Sequence, residues 1–86
     1  EYDREDNPFH NFDKGSKKSG MIRERVIEAY SLKHEVSIDD MISDIENYQT
    51  LPDYKVVDEK FDDAINYLLL KKASIVDRIN NKAKPF

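Results

Sequence analysis

The chain has 86 residues, no cysteine, 37% charged and 38% hydrophobic side chains, and a formal charge of −4. That length fits one small domain burying roughly 60–65% of the surface its unfolded chain exposes, and without cysteine neither disulfides nor a thiolate zinc site can supplement its core. No apolar run approaches the ~20 residues of a membrane span, and no signal peptide is visible at the charged N-terminus. An intracellular location, nuclear or cytoplasmic, is therefore expected; beginning at Glu1 rather than methionine, the chain reads as an excised or processed fragment.

Residues 1–20 read as a flexible charged tail or linker. Tyr2, Phe9 and Phe12 are its only large apolar side chains, and "KGSKKSG" closes it as a joint. Such a composition buries too little to offset the ~1–2 kcal/mol per residue that ordering costs. The tripeptide Asn7-Pro8-Phe9 resembles the motif bound by EH domains, although a solvated linker explains the segment more simply. Residues 21–86 are expected to form the folded domain.

Ile22, Val26, Ala29 and Tyr30 recur at helical spacing and predict a first helix over residues 21–33. Ser37, followed by Asp39 and Asp40, gives a start signal for a second helix, with Ile38, Met41, Ile42 and Ile45 as its buried stripe and an end near Tyr48. Pro52 marks a turn. A third helix spans residues 56–72 with Val57, Phe61, Ala64, Ile65 and Leu68 facing inward. After it, "SIVDRI" is rich in β-branched residues, Asn80-Asn81 suits a tight turn, and "KAKPF" can return as a second strand. The expected fold is mainly α with a small β hairpin: a winged helix, its three-helix helix-turn-helix core followed by a short wing.

The run Phe61 to Arg78, "FDDAINYLLLKKASIVDR", resembles the C-terminal winged-helix domains of minichromosome-maintenance helicase subunits. The likeness lies in Phe61, the pair Ala64-Ile65, Leu68 and the Ile75-Val76 strand. Cullin C-terminal winged-helix domains share the skeleton, and Arg25 to Ile42 can be laid along the cullin segment around its modification site. There the modified lysine falls at Ser31, a departure from the cullin pattern. The helicase resemblance implies a nuclear DNA-replication protein in which this domain binds other proteins and does no chemistry.

Nothing in the sequence supports catalysis. His10 and His34 are isolated. The acidic pairs are adjacent on helix faces and do not converge on a dry pocket. No calcium loop, phosphate loop or nucleophile motif occurs. The chain is read as no enzyme, with no cofactor and no metal.

Charge decides between binding classes. Residues 26–63 carry eleven acids against three bases, whereas residues 64–86 carry five bases against one acid. The third helix presents Asp58, Glu59, Asp62 and Asp63, and each carboxylate near a phosphate row would cost on the order of 1 kcal/mol. Groove insertion is disfavoured. The expected function is a non-catalytic protein-interaction module using that acidic face with Tyr67 as an aromatic anchor, its partner carrying a basic surface and the isolated domain monomeric. The alternative is weak nucleic-acid binding through a basic wing, with Lys71, Lys72, Arg78, Lys82 and Lys84 on phosphate.

Overall fold

The computed structural model describes residues 7–81, which form three helices: α1 (His10–Ser19), α2 (Arg23–Tyr48) and α3 (Tyr54–Asn81). No strand occurs among the described residues. The winged-helix expectation is thereby corrected. Residues 74–81, expected as the first wing strand and its turn, continue α3, while residues 82–86, the expected return strand, lie outside the described residues. The first and second predicted helices fuse into α2, so two of the three helices expected for the core are one, while the turn expected at Pro52 is present.

α2 and α3 form an antiparallel hairpin joined by residues 49–53. Gln49 ends α2 with a left-handed φ of 54°, its N–H bonded to the Ile45 carbonyl at 3.0 Å. Asp53 starts α3, its carboxylate accepting from the Lys55 N–H at 3.3 Å. Along the seam, Ile27, Ser31, His34, Ile38 and Met41 of α2 are buried or half-buried. They face Val57, Lys60, Ala64, Tyr67, Lys71 and Ser74 of α3, which are buried or half-buried in turn. Both sets step by alternating threes and fours, the spacing that keeps a helical hairpin in register. This seam is unusually polar, with two serines at its most buried points.

The apolar core is small and lies at one end. α1 crosses the hairpin there and inserts Phe12 beside Val26 and Ile27, with Phe9, Tyr67 and Leu70 packed around them. Phe12 meets Tyr30 and Tyr67 edge to face, with ring centroids 5.3 and 6.5 Å apart. Residues 10–19, expected from the sequence as part of a flexible tail, are thus helical and supply a core side chain. The Asn7-Pro8-Phe9 tripeptide leads into α1: the Asn7 side chain accepts from the Phe9 N–H at 2.9 Å, and the Phe9 ring lies 4.2 Å beneath the Arg23 guanidinium.

Gly15 permits this crossing. A Cβ there would stand 2.9 Å from Cγ1 of Val26, a β-branched side chain with little freedom to yield. Gly15→Ala is expected to destabilise the chain by about 1–2 kcal/mol, because overpacking outweighs the ~1 kcal/mol gain in helix propensity. Urea denaturation checks this, since a merely flexible joint would be neutral or stabilised by the change. No helix among the described residues is long and apolar enough to cross a membrane.

Candidate interaction surface

A polar cluster built on the fully buried Ser74 ties the helices together where α1 crosses. The Ser74 hydroxyl donates to Glu24 and accepts from Nε of Arg23 at 2.6 Å. Arg23 also donates to the Ser74 carbonyl at 3.1 Å, to Asp77 at 3.0 Å and to Asp13 of α1 at 3.4 Å. Arg78 completes the group with Nε 2.9 Å from Glu24. No buried side-chain nitrogen or oxygen among the described residues lacks a hydrogen-bond partner, and this cluster ties α1, α2 and α3 together.

Burial alone would raise the Glu24 pKa, but hydrogen bonds from Arg78 and Ser74 and the Arg78 charge outweigh it and lower it from 4.5 to about 2. A carboxylate depressed on folding contributes stability in full above its unfolded value and loses it as pH falls from 4.5 toward 2. The melting-temperature gap between the natural chain and Glu24→Gln is therefore expected to close over that window. Thermal scans of both chains across acidic pH check it.

The residues expected to bind protein do not share one face. Asp58, Glu59, Asp62 and Asp63 are all exposed on the first half of α3. Asp63, however, turns toward α2, 3.8 Å from Nδ1 of His34. Tyr67, expected as an exposed anchor, is half-buried in the seam and stacks on His34 with centroids 5.1 Å apart. Of the residues of the basic alternative, Arg78 is engaged by Glu24, Lys71 is half-buried and Lys72 is exposed. Lys82 and Lys84 lie outside the described residues. Ser31, at the position of the cullin lysine, is buried against α3 and donates to the Glu28 carbonyl at 2.9 Å.

No protein-family model, curated protein or solved structure matches the chain.

The arrangement itself supplies the candidate. Only three large hydrophobic residues are buried among the described residues, whereas Phe61, Ile65, Leu68, Ile75 and Ile79 of α3 stand 43–66% exposed. Each lies one residue beyond a buried or half-buried position of α3, hence about 100° round the helix from that face. These five line the flank of α3 away from α1, and Leu69 and Val76 widen it. Beside the seam the flank deepens into a groove where Phe61, Ile65 and Leu68 meet Ile38 and Glu35 of α2. Sequence reasoning placed Phe61, Ile65 and Leu68 inside. The signal it missed is the continuation of their three-four spacing through Lys72 to Ile75 and Ile79, too long for the space between two helices already filled by another stripe.

Proposed function

We propose that the chain is a non-catalytic helical docking module, which packs the apolar flank of α3 against helices of another polypeptide. The observation that carries this is the imbalance of burial: three core residues inside among the described residues and a stripe of five large apolar side chains outside. Contiguous apolar surface of that kind marks interaction sites on small proteins. Covering the half of each such side chain that remains exposed is worth about 1–1.5 kcal/mol. Glu59 and Asp62, exposed beside the stripe, supply a polar rim that favours encounter with a basic partner.

Introducing Phe61→Glu and Leu68→Glu together tests the reading. The double variant is expected to keep its helicity, and its unfolding free energy from urea titration within about 1 kcal/mol, as surface changes do, while losing association. Collapse of helicity would instead mean that the stripe completes the chain's own core, which would end the proposal.

A further inference from the structure

The flank of α3 also carries information about what covers it, and the inference drawn from it rests on the docking reading above. At the three-four spacing the stripe reads Tyr54, Asp58, Phe61, Ile65, Leu68, Lys72 and then Val76 beside Ile75, all of them exposed. Two charges interrupt it, one of each sign, and each stands seven residues from Ile65. Apolar groups lie symmetrically about the same centre: Phe61 on one side answers Leu68 and Leu69 on the other, and Tyr54 answers Val76.

We propose that the occupant of this flank is a second copy of the same chain, its α3 lying antiparallel to the first about a two-fold axis through Ile65. Asp58 of each copy then meets Lys72 of the other, roughly 10 Å along the helix from the axis. Ile65 meets its own counterpart, and Tyr54, among the most exposed apolar side chains of the described residues, falls against Val76. A two-fold contact needs a surface complementary to itself, which this stripe is in the antiparallel sense alone. Laid parallel, it would set Asp58 against Asp58 and Lys72 against Lys72 across a largely apolar interface, where an unpaired charge is most costly. Antiparallel alignment also opposes the helix dipoles favourably. The pairing departs from the monomer expected from the sequence, because that expectation placed Phe61, Ile65 and Leu68 in the core.

Sedimentation equilibrium on the full chain is expected to show two chains per particle in the range of roughly 10–100 µM. Asp58→Lys alone and Lys72→Asp alone should each weaken pairing at least about tenfold by setting like charges together at both contacts. The double reversal, Asp58→Lys with Lys72→Asp, should restore it, as should mixing the two single variants. A chain that remains single up to about 1 mM, or pairing indifferent to both single reversals, overturns the proposal. The fate of the docking reading is then separate. A single chain that binds an apolar fluorescent dye through this flank, and loses it with Phe61→Glu and Leu68→Glu, keeps the reading and assigns the flank to a different polypeptide. A single chain that binds no dye removes both.

Discussion

Ile27→Ala is expected to unfold a large fraction of the chain at room temperature. Ile27 is fully buried between Phe12 and Val26 in the one apolar cluster that all three helices reach. Truncating a buried isoleucine typically costs about 2–5 kcal/mol, the transfer of the lost atoms plus the cavity they leave. A domain of this length has on the order of 4–13 kcal/mol in total. With three apolar side chains buried among the described residues, this hairpin belongs near the lower end of that range, so one truncation removes half or more of its stability. The same change at Leu68 is expected to shift stability by less than about 0.5 kcal/mol in the single chain, because Leu68 is 61% exposed. Urea titration followed by far-UV circular dichroism compares the two. Equal costs would mean that Leu68 is as buried as Ile27.

Arg23→Ala is expected to have the next largest effect and to act chiefly on α1. One guanidinium reaches Asp13 of α1 and Ser74 and Asp77 of α3, and also covers the Phe9 ring. Its side chain is 12% exposed while those of Asp13 and Asp77 are 42% and 43% exposed, so solvent screens part of each ion pair. The buried hydroxyl of Ser74 would lose a donor outright. A loss of about 1–3 kcal/mol follows, with backbone amides of α1 exchanging rapidly while the middle of the α2–α3 seam stays protected. Arg23→Lys should not rescue it, since a point charge cannot reproduce the fork of donors. Uniform acceleration of exchange along all three helices would show that Arg23 supports the whole fold and not α1 in particular.

The helical character of residues 56–72 was legible, but which side of that helix faces inward was not. Periodicity finds the widest apolar arc, and in a self-contained domain that arc is the core. Here the widest arc of α3 lies to one side of the seam with α2, while the seam itself uses Ser74, Lys60 and the amphipathic Tyr67. Tyr67 was accordingly placed outside, and Phe61, Ile65 and Leu68 inside. The break expected near Ser37 rested on a sound helix-start signal, but cap signals are worth about 1 kcal/mol. The His34–Tyr67 stack and the seam positions on either side of Ser37 carry α2 straight through. At residues 74–79, β-branched composition favoured a strand, yet Ser74 is tied to both Glu24 and Arg23, and tertiary contact overrides so weak a propensity. Gly15 looked like a hinge because a glycine chosen for close approach and one chosen for flexibility are identical in sequence.

The central claim is that the outer flank of α3 is uncovered within a single chain. Relaxation of methyl signals by a soluble paramagnetic chelate measures this directly, at a dilution where sedimentation shows one chain per particle. Strong enhancement at Ile65, Leu68, Ile75 and Ile79 beside weak enhancement at Ile27 is the expected result. Methyls of the α3 flank shielded as well as Ile27 would contradict it.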